Sequence, residues 1–419
     1  MDFAGAGMSG EILFLSHRMP FPPDRGDKIR SHHVLRKLAT LAPVHVATFA
    51  DDERDIAEEV ELASIARSYR LVRRVKPLIV AGMQSLMRRQ PVSVPAFSSA
   101  EIAKYVAAVL AEHPISMIYA FSGQMGQFIP ASFTGKVVFD FVDVDSAKFE
   151  AYADEASGIR RWLFEREGRL LAHEEARIAA RSDVSLLVSS EEAALFRLRL
   201  PAEQAADCDV RTLRNGIDSR FFDPAIVSAA SAMAASPGPR LIFVGQMDYA
   251  PNVTAALRVI DRLLPAIRET LPKATFHIVG RNPDEQLVEY HGKNGVFVWG
   301  GVDDIRAYLA AADLALIPLE IARGVQNKVL EAMAMSLPVV LTSQAATGIG
   351  AVDGEHLAIA DSDEDLVDRV TALLAHPRQA LTLGHEARNY VVEKMSWQAA
   401  LAPLVDLVSD PAAEPRHAA

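Results

Sequence analysis

The residues with the strongest chemical signal lie between Arg323 and Thr342, in the segment RGVQNKVLEAMAMSLPVVLT. An apolar run of strand length precedes this segment (Ala312–Leu319) and another ends it (Leu337–Thr342), while the apolar residues between them recur at helical spacing. The pattern predicts strand, glycine-containing loop, helix and strand, which is the unit that builds a parallel sheet. Glu331 lies inside the predicted helix among apolar neighbours, where a carboxylate is costly unless a partner hydrogen-bonds it.

The start of this helix is expected to face a ligand. Its free backbone N–H groups and positive dipole end point toward the crevice at the strand ends, where doubly wound sheets bind nucleotides and phosphates. An ionised Glu331 is an acceptor that can take two hydroxyl groups at once. The alternative is a half-exposed helix residue with a surface partner, and spacing alone does not decide between the two.

The stretch NKVLEAMAMSLPVV within this segment resembles the signature of GT-B glycosyltransferases of the family 4 type, the glycosyl transferases group 1. The resemblance implies that Glu331 binds the ribose hydroxyls of a nucleotide sugar. A second glutamate usually stands eight residues earlier in that family, and this chain has Arg323 there. The resemblance further assigns to the donor site the residues Gly324, Gln326, Asn327 and Lys328.

Two more segments carry the same resemblance. The loop after the first predicted strand (Glu11–Ser16) reads HRMPFPPDRGDKIRSHH, and relatives use a glycine loop there to approach the donor, which implies donor-binding roles for Gly26 and Arg30. The sequence of this loop is similar to that of sugar transferases associated with exopolysaccharide and PEP-CTERM/exosortase gene clusters. Asp27 is a predicted N-cap. The phrase TLRNGIDSRFFDP (Thr212–Pro224) matches the linker signature of the family.

Acidic residues follow a predicted strand in FDFVDVDSAKFEAYA, where Asp143 and Asp145 are candidate catalytic residues at the strand's carboxyl end. The resemblance implies an acid near this place, facing donor and acceptor. A Mg²⁺ cluster is the competing interpretation, and it is disfavoured because these transferases generally need no metal. Caps and turn residues remain an open alternative for either carboxylate.

The loop FVGQMDYAPNV after the first strand of the second half departs from the family. Relatives place an arginine and a lysine there to hold the donor diphosphate, whereas this chain offers Gly245, Gln246 and Asn252 without a cation. We predict that Lys328 and Arg323 supply the missing positive charge beside the helix start, and both are assigned to the catalytic site for that reason. The alternative for Lys328 is a solvated residue of the first helical turn.

Composition limits the remaining classes. The chain has 419 residues, half of them hydrophobic, with a net charge of −11, which argues against a general nucleic-acid binder. The single cysteine excludes an intrachain disulfide, no apolar run has the length of a membrane span, and no secretory signal is expected, so the predicted location is cytoplasmic. Gly5, Gly7 and Gly10 match G-x-G-x-x-G but precede the first strand, which disfavours a dinucleotide oxidoreductase.

One segment has an asymmetric charge. No acidic residue occurs between Leu62 and Ala100, while seven cations accumulate among apolar residues. The stretch Arg67–Arg89 is therefore predicted to contact an anionic membrane from the inner, cytoplasmic side, each cation contributing about 1 kcal/mol. The alternative is a solvated helix face with core residues. The seven cations are Arg67, Arg70, Arg73, Arg74, Lys76, Arg88 and Arg89.

The predicted fold class is α/β, a GT-B architecture of two Rossmann-like, doubly wound parallel-sheet domains facing each other across a cleft. The predicted parts are a tail (1–10), an acceptor-side domain (11–224), a linker (225–239), a nucleotide-sugar domain (240–385), a helix crossing back to the first domain (386–409) and a second tail (410–419).

The predicted function is transfer of a hexose from a UDP- or GDP-sugar to a polysaccharide or lipid-linked acceptor, with retention and without a cofactor or metal. The alternatives are a catalytically inactive scaffold of a polysaccharide assembly complex and a nucleotide-sugar epimerase on the same fold.

Overall fold

The computed structural model describes residues 10–322 and 324–409. They form two compact units, one that ends at Asn215 and resumes at Leu401, the other running from Gly216 to Ala400. Each unit is built on a parallel sheet, as predicted for an α/β chain of two Rossmann-like domains. The predicted tails, apart from Gly10, lie outside the described residues.

The sheet of the first unit has seven parallel strands in the order β3-β2-β1-β4-β5-β6-β7. All residues of the first two strands are buried, which explains why their sequences are continuous rather than alternating. The strands are β1 Glu11–Ser16, β2 Val44–Ala50, β3 Ser68–Arg73, β4 Ile115–Phe121, β5 Lys136–Val142, β6 Val184–Leu187 and β7 Val210–Thr212.

The helices of the first unit connect these strands, with one 3₁₀ segment, Gly123–Phe128, after β4. They are α1 Gly26–Ala39, α2 Glu53–Ala57, α3 Glu59–Ile65, α4 Leu78–Arg88, α5 Ser93–Ala96, α6 Ala100–Glu112, α7 Asp145–Glu155, α8 Gly158–Ala179, α9 Ser190–Arg199 and α10 Ala202–Ala205.

The sheet of the second unit has six parallel strands in the order β10-β9-β8-β11-β12-β13. The order places β8 at the centre, so that the loops after β8, β9 and β10 lie side by side at one edge. The strands are β8 Arg240–Val244, β9 Thr275–Val279, β10 Val296–Gly300, β11 Leu314–Ile317, β12 Val339–Leu341 and β13 Ala358–Ile359.

The helices of the second unit cover its sheet, with a 3₁₀ segment (Pro224–Ile226) and two π-helical segments (Val259–Leu263 and Val391–Met395). They are α11 Ser231–Ala234, α12 Ala250–Arg258, α13 Leu264–Thr270, α14 Glu285–Val288, α15 Ile305–Ala311, α16 Asn327–Ala334, α17 Asp363–Ala375, α18 Pro377–Tyr390 and α19 Trp397–Ala400. The last helix, α20 Pro403–Ser409, groups with the first unit.

The predicted linker, residues 225–239, lies within the second unit, because the division between the units falls at Asn215 and Gly216. Met233 of this stretch is fully buried in the core of the second unit. The backbone N–H of Ala230 donates to the carbonyl of Ala307 at 2.8 Å. Small, uncharged residues here pack against a helix, which composition alone does not distinguish from a flexible connection.

The predicted N-cap at Asp27 is wrong. Helix α1 begins at Gly26, and the residue before it, Arg25, makes no side-chain cap. Asp27 lies in the first turn, where its carboxylate accepts a hydrogen bond from Arg18 at 2.6 Å and approaches His17 at 3.4 Å. The partner charges, which come from the loop before the helix, draw the carboxylate away from the helix end.

A buried ion pair holds the interior of the first unit together. Arg30 and Asp140 are both almost fully buried, and two guanidinium N–H groups donate to the two carboxylate oxygens at 3.0 Å each. Tyr119 donates its O–H to the same carboxylate at 2.7 Å, and Arg30 also donates to the side chain of Asn215 at 2.8 Å. The pair therefore joins α1, β4, β5 and the end of the first unit.

Within residues 10–322 and 324–409, no helix combines the length and the apolarity that are needed to cross a membrane.

We predict that Asp140→Ala lowers the free energy of unfolding by about 3–5 kcal/mol, because it leaves the Arg30 guanidinium buried without its counter-charge. Asp143→Ala, which removes a partly exposed carboxylate paired with Lys148, is the matched control and should cost at most about 1 kcal/mol. Urea unfolding followed by circular dichroism measures both. Equal losses of stability in the two variants would contradict the conclusion that the Arg30–Asp140 ion pair stabilises the interior of the first unit.

Candidate functional site

The loops after three neighbouring strands of the second unit are in direct backbone contact. The N–H of Gly245 donates to the carbonyl of Val279 at 3.1 Å, and the N–H of Gly280 donates to the carbonyl of Gly300 at 2.8 Å. A Cβ atom on Gly280 would overlap the carbonyl of Gly245, so only glycine fits there. The ends of β8, β9 and β10 therefore present backbone rather than side chains.

An open cavity of about 370 Å³ lies at these strand ends. It falls in the range of small-molecule sites, about 300–1,000 Å³, and occupies the carboxyl edge at which open α/β sheets bind their ligands. The lining residues are Phe221, Val244, Gly245, Gln246, Gly280, Arg281, Gly301, Val302, Asp303, Asp304, Ile305 and Glu331.

Glu331 reaches the cavity from helix α16. The helix buries Val329, Leu330 and Met333, which orients Glu331 toward the cavity. Among the described residues, none donates a hydrogen bond to its carboxyl group or lies within ion-pair distance of it. Burial raises the pKa of Glu331 to about 7, although the positive charge of Lys328 acts in the opposite direction. The group is thus a half-buried acceptor whose hydrogen-bonding capacity is unused by the described part of the chain.

Lys328, one turn before Glu331, is held beside the same loop. Its ammonium donates to the side-chain oxygen of Asn252 at 2.7 Å and lies 5.3 Å from the centre of the Phe243 ring. Burial lowers the pKa of Lys328 to about 8, with the charge of Glu331 opposing that shift. Desolvation of an ammonium without a carboxylate in contact is costly, and an anionic ligand would offset that cost.

Asn252 couples Lys328 to the loop after β8. Its side-chain amide donates to the carbonyl of Gln246 at 2.8 Å while its oxygen accepts from Lys328. A Cβ on Gly245 would lie 2.8 Å from the Asn252 amide nitrogen and 3.3 Å from Cε of Lys328. Asn252, predicted as a donor-binding residue, therefore uses both ends of its amide to position other site residues.

Arg281 is a cation of this cavity that the sequence interpretation missed. It follows Gly280 at the end of β9, and its carbonyl accepts the N–H of Met247 at 2.9 Å. The side chain is exposed, lines the cavity and makes no ion pair with any residue in the described ranges. The available signal was its place two residues beyond a correctly predicted strand, beside the loop after β8 in the same sheet.

The loop before α16 carries the remaining predicted donor-binding residues. Gly324 has a left-handed backbone (φ +63°), and its carbonyl accepts a hydrogen bond from the side chain of Gln326 at 3.1 Å. Asn327 is the exposed first residue of the helix. Arg323, predicted to carry positive charge and to replace the usual glutamate, lies outside the described residues.

Gly26 and Arg30, predicted to bind the donor, belong to the first unit. Gly26 is the first residue of α1, and a Cβ built there meets no atom within 4 Å, so packing does not require glycine. Arg30 is 1% exposed and its guanidinium is engaged by Asp140 and Asn215. Their roles toward a donor remain predictions, and for Arg30 the described contacts account for its position without a ligand.

The carboxylates predicted to be catalytic lie at the carboxyl end of β5. Both are partly exposed, and Lys148 donates to Asp143 at 2.8 Å and to Asp145 at 3.2 Å. Val142, just before them, has φ +71°, a strained conformation for a β-branched residue. Such strain concentrates at functional sites, which favours a role for this turn beyond chain reversal.

The family model described as "Glycosyl transferases group 1" matches residues 238–376, which include all six strands of the second sheet and Glu331. No curated protein matches the chain.

Solved structures resemble nearly the whole chain. Sucrose-phosphate synthase from Thermosynechococcus elongatus is 16% identical, with coverage of 95% of this chain and 98% of that chain and a TM-score of 0.58. The Anabaena protein HepE in complex with UDP is 15% identical, with coverage of 95% and 99% and a TM-score of 0.61. WaaG, a glycosyltransferase involved in lipopolysaccharide biosynthesis, is 17% identical, with coverage of 95% and 99% and a TM-score of 0.52. The chain thus has the α/β GT-B fold of these proteins, and its residues 238–376 match the family model of the glycosyl transferases group 1.

Proposed function

We propose that the protein is a glycosyltransferase that moves a sugar from a nucleoside-diphosphate sugar to a polysaccharide or lipid-linked acceptor, with retention of configuration. The observation that carries the proposal is the carboxylate of Glu331, which has no hydrogen-bond donor among the described residues and lines a cavity together with Arg281. Lys328 lies beside that cavity, next to Gly245. A ribose with two hydroxyl donors and a diphosphate with two negative charges match this set of groups.

The donor is expected to be a UDP-sugar, with a GDP-sugar as the next choice. HepE has been solved with UDP, with UDP and glucose, and with UDP-glucose. In the present chain, Glu331 would accept the ribose hydroxyl groups, and the glycine-lined strand ends would let the nucleotide approach the backbone closely.

The diphosphate would be held by Arg281 and Lys328 in place of the cations that the loop after β8 lacks. Negative charge grows on the leaving diphosphate as the bond to the sugar breaks, so fixed positive charge at this point stabilises the transition state. Asn252 keeps Lys328 against the loop in the free protein.

In the proposed reaction, an acceptor hydroxyl attacks the anomeric carbon on the face from which the diphosphate departs. The bond between that carbon and the diphosphate oxygen breaks, the new carbon–oxygen bond forms, and the hydroxyl proton passes to a phosphate oxygen. Asp143 and Asp145 would then orient the acceptor or stabilise positive charge on the sugar, rather than act as strong bases.

We also propose that residues 67–89 contact a membrane, with a smaller electrostatic and a larger apolar contribution than the charge pattern predicts. Four of the seven cations are paired with acids distant in sequence: Arg67 with Glu11, Arg70 with Glu101, Arg73 with Glu53 and Arg74 with Asp51. Lys76 donates to the carbonyl of Pro95 at 2.8 Å. Arg88 and Arg89 make no ion pair with a described residue, so the electrostatic share is smaller than the charge pattern predicted.

The apolar contribution to the proposed membrane contact is larger, because helix α4 exposes apolar side chains on one side. Ile79 is 79% exposed and Met87 is 85% exposed, and Leu78, Met83 and Leu86 accompany them. Contiguous exposed apolar surface beside cations is typical of helices that lie on anionic membranes. We therefore propose that α4 anchors the enzyme at the inner face of the cytoplasmic membrane, near lipid-linked acceptors.

We predict that Glu331→Gln weakens binding of UDP-glucose at least about tenfold. The amide replaces one acceptor oxygen by a donor, and hydrogen bonds to charged groups are worth about 1.5–3 kcal/mol. Isothermal titration calorimetry measures the effect, with Glu355→Gln, an exposed carboxylate of the same unit, as the control. An unchanged dissociation constant in a folded Glu331→Gln protein would remove Glu331 from the donor site.

Arg281→Ala and Lys328→Ala should each weaken UDP binding about tenfold or more while leaving uridine binding unchanged, because each removes a charge that only the phosphates meet. Lys273→Ala, an exposed cation of the same unit, is the control. Hydrolysis of UDP-glucose and transfer to glycan should fall with them. Tight UDP binding by both variants would refute the proposed binding of the diphosphate by Arg281 and Lys328. Donor binding by the wild-type protein without hydrolysis, transfer or epimerisation would favour the scaffold alternative.

The triple variant Ile79→Ser/Met83→Ser/Met87→Ser should lose most of its co-sedimentation with vesicles that contain anionic lipid, because it removes the apolar surface of α4. High salt should weaken the wild-type binding only partly, since few of the cations are unpaired. Leu198→Ser, which removes an 84% exposed apolar residue from α9 of the same unit, is the control. The proposed anchor is wrong if wild type does not sediment or if the triple variant sediments equally well.

A further inference from the structure

Three side chains with metal-binding groups meet at the amino edge of the first unit's sheet. Glu11 begins β1, His45 is the second residue of the neighbouring strand β2, and His113 follows α6 just before β4. Nε2 of His45 lies 2.6 Å from Oε2 of Glu11, and Nδ1 of His113 lies 3.2 Å from the same oxygen. The three ligand atoms all lie within 4.8 Å of one another. No step of the proposed transfer reaction uses these residues.

The cluster is mostly buried. His45 is fully buried and Glu11 is 8% exposed, although both side chains are polar and strand positions beside them are apolar. The side chain of His113 is 28% exposed and leaves one side of the cluster open to solvent. Buried polar groups need partners that offset the free-energy cost of removing them from water. A metal ion is a strong partner of this kind.

A second layer of hydrogen bonds fixes the His45 ring. Its Nδ1 lies 2.7 Å from the hydroxyl of Ser68, which in turn lies 2.6 Å from the hydroxyl of Tyr105. In the free protein a proton on Nε2 can donate to Glu11 while Nδ1 accepts from the Ser68 hydroxyl. When a metal ion takes the place of that proton, Nδ1 can instead donate to Ser68, and the lone pair of Nε2 faces the ion. Metal-binding histidines are oriented in this way, with the second ring nitrogen donating to a protein group.

We propose that Glu11, His45 and His113 bind a divalent transition-metal ion of the zinc type, with water in the fourth position. Two imidazoles and one carboxylate suit Zn²⁺ better than Mg²⁺ or Ca²⁺, which prefer sets made only of oxygen ligands. Ligand atoms about 2.0–2.1 Å from a tetrahedral Zn²⁺ stand about 3.3 Å apart. The pair formed by His113 and Glu11, at 3.2 Å, already has this spacing, while the pair formed by His45 and Glu11, at 2.6 Å, must separate by about 0.7 Å.

The ion would compete with two partners of Glu11 in the free protein. One is the Nε2–H group of His45, whose proton the metal ion would replace. The other is Arg67, whose guanidinium lies 3.0 Å from Oε1 of Glu11 and whose side chain is half exposed and free to move into solvent. Bound metal would join β1, β2 and the connection from α6 to β4, and so stabilise the first unit by binding the native state alone.

The test uses the untagged full chain after treatment with a chelator. Titration with Co²⁺ should give the visible absorption of a tetrahedral site at one equivalent, and Zn²⁺ should displace it and raise the thermal unfolding temperature. Mg²⁺ should do neither. Absence of a one-equivalent Co²⁺ or Zn²⁺ site would overturn the proposal.

The variants separate this cluster from other histidines. His113→Gln, which changes the most exposed ligand, should weaken Zn²⁺ binding at least about tenfold and abolish the tetrahedral Co²⁺ spectrum. Ser68→Ala should weaken it about 10–100-fold through the orientation of His45. Arg67→Ala should tighten it, because a competing cation is removed. His385→Gln, on the exposed surface of α18, is the control. Equal Zn²⁺ affinity in wild type, His113→Gln and His385→Gln would assign the binding elsewhere and refute the site.

Discussion

The close approach of two loops, after β8 and after β9, is the constraint on which the candidate site depends. The carbonyl of Gly245 occupies the place that a side chain on Gly280 would need, so the strand ends form a surface of backbone. That surface leaves room for a cavity into which Glu331 and Arg281 extend, and it sets Lys328 directly behind Gly245. A larger residue at Gly245 would displace Asn252, and with it the lysine that Asn252 holds.

Burial disfavours the charged forms of both Glu331 and Lys328 in the free protein. Burial raises the pKa of Glu331 and lowers the pKa of Lys328, and each charge opposes the shift of the other without forming a direct ion pair. A ligand that brings hydroxyl donors to the carboxylate and negative charge to the ammonium would relieve both desolvation costs together. Groups of opposite charge with strongly shifted pKa values are typical of functional sites. Here Glu331 lines the cavity and Lys328 lies beside it, next to Gly245, and the two match the ribose and the diphosphate of a nucleotide.

The sequence predicted the strands well because buried parallel strands are continuous apolar runs, as in Thr275–Val279 and Leu314–Ile317. Glu331 could be singled out from the sequence because a carboxylate is unusual in an apolar helix, and the structure places it at the cavity. Arg281 was missed because only the order of strands in the sheet brings it close to Gly245. The ion pairs of Arg67 and Arg74 were missed because their acidic partners, Glu11 and Asp51, are distant in sequence. Charge patterns along a chain do not reveal partners that folding brings from elsewhere.

Proton release on donor binding tests the central claim most directly. UDP-glucose has no group of its own that titrates near pH 7, whereas a carboxyl group with a pKa of about 7 is half protonated there. If Glu331 binds the ribose as a carboxylate, calorimetry at pH 7 in buffers of different ionisation enthalpy should detect release of about half a proton, reduced slightly by uptake at Lys328. The release should vanish in Glu331→Gln. Donor binding with no proton release, or with the same release in both proteins, would contradict the account.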